Sequence, residues 1–122
     1  MCELKIWIAI RADLGMSPGK IAVQSGHACE KLAYFNAKNE NFLIRNLMLK
    51  YMSGATVKVA VKVDSHNELK KVFGEALNSG IPAQLIMDAG RTEIEAGTWT
   101  VCAFGPALRE ELPPTLKRLQ LY

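Results

Sequence analysis

Two stretches carry side chains whose types and spacing could do chemistry. The first is Leu14–Ala28, LGMSPGKIAVQSGHA. Its glycines and its Gly-Lys pair resemble a phosphate-binding loop. That motif needs four residues between its glycines and a hydroxyl after the lysine. Here three residues separate Gly15 from Gly19, and Ile21 follows Lys20. A nucleotide-binding loop is therefore disfavoured, and Lys20 needs another account. It falls in the first turn of an expected helix, where the helix dipole mildly disfavours a cation. At roughly 100° per residue, Lys20, Gln24, His27, Lys31 and Tyr34 form one polar stripe. Ile21, Ala28, Leu32 and Phe35 form the apolar face beside it. A solvated helix surface and a working face both fit that pattern.

The second stretch is Met87–Thr100, MDAGRTEIEAGTWT. Asp88 closes an expected buried strand, and ligands of α/β sheets gather beyond the carboxyl ends of parallel strands. Gly90 permits a tight turn, and Arg91, Thr92, Thr98 and Thr100 add polar groups around the loop. A side-chain-capped turn would use the same residue types. Together, an ammonium and a carboxylate could hydrolyse an ester. The carboxylate orients water, and the ammonium meets the developing oxyanion. A carboxylate so paired is a poor base, because the pairing lowers its proton affinity. The threonine hydroxyls could fix water or the carbonyl. This chemistry needs no metal, no cofactor and no covalent intermediate.

Other chemistries find less support. There is no Ser-His-Asp order and no G-x-S-x-G elbow. His27 and His66 lack metal-ligand spacing, and His66 belongs to an exposed helix start. Glu93 and Glu95 are expected to face water. Cys2, Cys29 and Cys102 are odd in number and lack Cys-x-x-Cys spacing, which argues against a disulfide framework or a zinc site. The opening MCELKIWIAIRADLG is too short and too interrupted for a signal peptide or a membrane span. A cytoplasmic setting without membrane attachment is the expectation. The net charge of +3 is compatible with a nucleic-acid partner without requiring one.

The elements that must position these residues follow from periodicity. ELKIWIAIRA alternates as a strand, with Leu4, Ile6, Ile8 and Ile10 on one face. Trp7 and Ala9 opposite them imply that both faces are covered. Ser17 as N-cap and Pro18 as first helical residue start a helix to about Phe35. A second helix spans about Asn41 to Met52, with Ile44, Leu47, Met48 and Tyr51 inward. TVKVAVKV places Val57, Val59, Val61 and Val63 on one face of a strand. Ser65 to Glu68 forms a capping box. The helix it opens buries Leu69, Val72, Phe73, Ala76 and Leu77 and ends near Gly80. AQLIMD and TWTVCAF are two strands that pair antiparallel across a short loop. A last helix is expected to fill Ala107–Leu119, disturbed by Pro113 and Pro114. This order implies an α/β fold, a three-layer domain over residues 1–122 with a mixed four-stranded sheet and helices on both faces.

RADLGMSPGKIAVQSGHA, KVDSHNEL, IPAQLIMDAGRTEIEAGTWTVCAFGP and the terminal LQLY together resemble the archaeal and eukaryotic type of peptidyl-tRNA hydrolase. The resemblance covers nearly the whole chain in the right order. Pro18 replaces a frequently basic residue and Ser25 a frequent cysteine. The resemblance implies a mixed four-stranded sheet with helices on both sides. It implies hydrolysis of the ester between a peptide and the 3′-terminal ribose of tRNA, and a homodimer. It implies Lys20, Asp88, Thr92 and Thr100 as catalytic residues. Gln24 and His27 fall on positions lining the same cleft, and Arg91 and Thr98 join them as substrate-binding candidates. Peptidyl-tRNA is the expected partner. Lys31, Arg45, Lys50, Lys58, Lys62, Arg91, Lys117 and Arg118 are candidates for its phosphates. The alternative is a non-catalytic module of the same fold that binds tRNA or a translation factor.

Overall fold

In the computed structural model, which describes residues 3–89 and 95–122, a mixed sheet lies between two helical layers. The strands are β1 (Lys5–Arg11), β2 (Lys58–Val63), β3 (Ala83–Met87) and β4 (Trp99–Ala107), in the order β2-β1-β4-β3. β1 and β2 run parallel, and β4 is antiparallel to both β1 and β3. The carboxyl ends of β1, β2 and β3 therefore share one end of the sheet with the start of β4.

Alternation along β1 divides the core. Ile6, Ile8 and Ile10 pack with Ile86, Val101 and Ala103 beneath α1 (Pro18–Ala37) and α2 (Phe42–Met52). Trp7 and Ala9 pack with Val61, Val63, Cys102 and Phe104 beneath α3 (His66–Asn78) and the C-terminal segment. Trp7 stacks on Phe104 with ring centroids 5.7 Å apart.

α1 begins as its sequence requires. Ser17 is extended and accepts the Lys20 N–H at 3.2 Å, and Pro18 opens the first turn. The buried residues then recur every fourth position: Lys20, Gln24, Ala28, Leu32 and Asn36. Such a row is inclined to the helix axis, and it decides which positions of α1 meet the sheet. Asn36 at its far end donates to the Gly105 carbonyl at 3.1 Å. Gly105 has φ +127°, and a Cβ there would sit 2.7 Å from the Lys5 carbonyl oxygen. Glycine lets β4 pass that close to β1. At the opposite end, Arg11 donates to both Asp13 carboxylate oxygens at 3.1 and 2.6 Å, and to the Trp99 carbonyl at 3.2 Å. This clamp joins the end of β1, the loop into α1 and the start of β4.

Several expectations change. Phe35 is exposed, because the oblique buried row leaves it outside the contact with the sheet. Leu77 is also exposed, one position past the Leu69–Val72–Ala76 line. Ser65 accepts the Glu68 N–H as expected, but the Glu68 carboxylate takes the Asp64 N–H instead of completing the box at Ser65. The last helix shrinks to α4 (Pro114–Lys117), after β4 runs through Ala107 and a 3-10 turn covers Arg109–Glu111. Pro113 and Pro114 together forbid a continuous helix there, since Pro114 can only stand in a first turn.

Two stability effects follow. Asn36→Ala leaves the buried Gly105 carbonyl without its donor and should cost about 1–3 kcal/mol in urea unfolding. The Arg11 guanidinium holds the Asp13 carboxyl below its ordinary range, chiefly by hydrogen bonding. The clamp's contribution should therefore be complete above about pH 4. It should be lost as pH falls through the depressed folded value. Asp13 is partly exposed, so Asp13→Asn should remove no more than about 1 kcal/mol at pH 7 and flatten the acid limb of the stability profile.

Candidate active site

Two cross-links tie α1 to the sheet, one helical turn apart. Lys20 forms an ion pair with Asp88, and both side chains are buried, at 6% and 0% exposure. One turn later, the Thr100 hydroxyl donates to the Gln24 side-chain oxygen at 2.6 Å. The sheet sets this spacing from its own side. The Asp88 N–H donates to the Thr98 carbonyl at 2.7 Å, and the Gly97 N–H donates to the Asp88 carbonyl at 3.1 Å. Thr100 lies two residues beyond Thr98, and its hydroxyl is also 3.3 Å from the Ile86 carbonyl, two residues before Asp88. A pair of residues four apart on α1 thus meets pairs two apart on β4 and along the end of β3.

The two cross-links differ electrically. Gln24 and Thr100 are neutral, buried and mutually satisfied. Lys20 and Asp88 are charges removed from water, which is costly unless the pair is well bonded. The ammonium meets the carboxylate at the carboxyl end of β3. This arrangement can present a positive charge and an aligned carboxylate to one polar group of a ligand.

The remaining expected site residues fall in three places. Thr98 is partly buried and serves through its carbonyl as the acceptor for Asp88. His27 is exposed, because the oblique row of buried residues steps from Gln24 to Ala28 and passes it by. Lys31 and Tyr34 are exposed with it. The polar stripe therefore separates into a buried pair, Lys20 and Gln24, and an outer face carrying His27. Arg91 and Thr92, with Gly90 and Glu93, lie outside the described residues.

The candidate phosphate contacts do not form one group. Arg45 donates to the carbonyls of Asn39 and Glu40 at 2.6 and 2.8 Å, closing the turn before α2. Lys58 lies over the Tyr51 ring. Lys117 ends α4 and Arg118 follows it, in the layer opposite α1. Lys31 and Lys50 are exposed on α1 and α2. Burial pushes the Cys102 thiol up to about 12 and raises that of Cys29, so neither offers a thiolate nucleophile near neutral pH.

Arg11 was not singled out by residue type, yet its clamp holds the main chain one residue before Thr100. The available signal was the Arg-Ala-Asp spacing at the end of a buried strand, which brings a guanidinium back onto its own loop.

Comparison with known proteins matches this arrangement to one family. The model of the family described as "Peptidyl-tRNA hydrolase PTH2" matches residues 4–122. A peptidyl-tRNA hydrolase of Methanocaldococcus jannaschii is 36% identical over 97% of this chain and 99% of its own. One from Sulfurisphaera tokodaii is 39% identical over 84% of this chain and 85% of its own. One from Aeropyrum pernix is 36% identical over 82% of this chain and 81% of its own. With both the matching residues and the fold that gathers them in view, the chain belongs to the peptidyl-tRNA hydrolase family PTH2.

Proposed function

We propose that this protein hydrolyses the ester of peptidyl-tRNA, releasing free tRNA and peptide, with the Lys20–Asp88 pair at the centre of the chemistry. The observation that carries the reading is the burial of that pair at the carboxyl end of β3, in a chain of this family. A buried ion pair is a weak source of stability, so its presence favours a functional reason.

The reaction adds water across the ester. Water attacks the carbonyl carbon, and negative charge develops on the carbonyl oxygen. The Lys20 ammonium, already oriented by Asp88, stabilises that oxyanion without reorganising. Asp88 also accepts a hydrogen bond from the attacking water and aligns it. Paired with an ammonium, it contributes more by alignment than by basicity. The tetrahedral intermediate then expels the ribose oxygen. That oxygen takes up a proton, and the peptide leaves with a free carboxyl group. The bond from Thr100 fixes the Gln24 amide, so its NH2 group has one direction in which to hold substrate. Thr92 and Arg91, which follow Asp88 in the sequence, act on the ester and its phosphates. Thr98 positions Asp88 through its carbonyl, and His27 contacts the terminal nucleotide from the outer face of α1. The family resemblance supports these assignments.

Residues 1–122 act as one catalytic domain in this reading, which the family match over 4–122 supports. The protein works in the cytoplasm, where its substrate arises, and no helix among the described residues is long and apolar enough to cross a membrane. It assembles as a homodimer. The exposed Phe42, Leu43, Leu49 and Met52 of α2 favour a partner surface.

The direct test is incubation with N-acetyl-aminoacyl-tRNA. Deacylation above the buffer rate is expected, and tRNA binding without deacylation would support a non-catalytic module instead. Lys20→Ala and Asp88→Asn should each lower kcat by on the order of a hundred- to a thousandfold. Near-normal turnover in both variants would remove the pair from the mechanism. Thr100→Val should act mainly on substrate binding, raising KM about tenfold through the freed Gln24 amide. Log affinity for tRNA should fall linearly with log salt, with a shallow slope because the excess of positive charge is only +3. A salt-independent affinity would confine recognition to the acceptor end.

A further inference from the structure

The two outer edges of the sheet are treated differently. At β2 the C-terminal residues cover the edge. The Lys62 N–H donates to the Gln120 carbonyl at 2.9 Å, the Tyr122 N–H donates to the Ala60 carbonyl at 3.0 Å, and Leu121 lies opposite Val61. At β3 no strand pairs with the outer side among the described residues. Its sequence, AQLIM, contains neither the charge nor the proline that commonly blunts an exposed edge.

The main-chain groups on that edge can be assigned. At one end of β3 the Pro82 carbonyl accepts from the Gly105 N–H, and at the other the Asp88 N–H and carbonyl both bond toward β4. The irregularity between Ile86 and Met87 places the extra residue on β4. Alternation along β3 is therefore intact, and the N–H and carbonyl groups of Ala83, Leu85 and Met87 point outward. Met87 is half exposed and directly precedes Asp88. The outward row thus runs into the ion pair.

We propose that the β3 edge is the docking strand for the peptide portion of the substrate. This rests on the hydrolase reading above. The peptide adds to the sheet as an extended segment parallel to β3, because its C-terminal ester must lie at Asp88 and its preceding residues then run back toward Ala83. A ladder of main-chain bonds suits this substrate. Peptides differ in their side chains and share only their backbone, and strand addition reads the backbone. At about 3.3 Å per residue, the edge accommodates about four peptide residues.

The test uses the intact wild-type protein with N-acetylalanyl-tRNA and with oligoalanyl-tRNAs of increasing length. The expected kcat/KM rises about tenfold up to a length of about four residues and is flat beyond it, each paired bond contributing a few-fold. Within the longest substrate, N-methylation of alternate amides should abolish the gain, and methylation of the amides between them should leave it. Leu85→Pro removes an outward donor at a position where an edge strand tolerates proline. It should lower the ratio of long- to short-substrate kcat/KM toward one. Equal rates for all lengths, or methylation effects without alternation, would overturn the peptide assignment while leaving the hydrolase reading standing. Absence of cleavage for every substrate would overturn both. A dimer that Leu85→Pro dissociates, with length dependence unchanged, would assign the edge to a second copy of the chain and overturn the proposal.

Discussion

The buried ion pair between Lys20 and Asp88 is the constraint on which the rest of the structure depends. Each charge is costly to hold in that dry setting, and the ion pair offsets part of the cost for both. The pair therefore demands that the first turn of α1 and the residue that follows β3 arrive together. Much of the surrounding architecture can be understood as meeting that demand. Ser17 fixes where α1 starts, and the main-chain bonds of Asp88 to Gly97 and Thr98 fix where β3 ends. The Gln24–Thr100 bond, one turn on, fixes the rotation of α1 against the sheet.

The inclined buried row of α1 belongs to the same contact. A buried row at every fourth residue carries two polar groups at its start, two apolar groups in its middle and Asn36 at its end. Each polar member meets a partner that its depth requires: Asp88, Thr100 and the Gly105 carbonyl. The same helix thus holds the buried ion pair at one end and a structural tie at the other. Its outer side is left open, and His27 stands there. The Arg11 clamp works from the neighbouring strand and acts only on backbone and loop, so it positions the site without reaching it.

Much of this was legible in the sequence. Alternation in Ile6–Ile10 against Trp7 and Ala9 announces a strand covered on both faces, and Ser17-Pro18 announces the helix that follows. Lys20 and Asp88 each have a local explanation in the sequence, a solvated helix surface and a capped turn, and only the long-range ion pair chooses between those and a shared site. The course of the buried row along α1 was not legible. Periodicity gives the angular position of Phe35 and His27 around the helix, but the inclined row Lys20–Gln24–Ala28–Leu32–Asn36 passes both by. The C-terminal segment was misread for a related reason. Its apolar residues, Leu112, Leu116 and Leu119, do face the core, but tandem prolines deliver them from turns and a single short helix. The covering of β2 by Leu121 is a long-range pairing with no local signature.

The central claim is that the Lys20–Asp88 pair is retained for chemistry and at the expense of stability. The most direct measurement compares urea unfolding and deacylation for Lys20→Met, Asp88→Leu and the two combined. Each single change deprives one buried charge of its ion-pair partner and should destabilise the fold by about 3–5 kcal/mol. The combined variant replaces both charges with apolar groups of similar size. It should be at least as stable as the native protein while losing deacylation by on the order of a hundredfold or more. A combined variant that stays active, or one as unstable as either single change, would contradict the account.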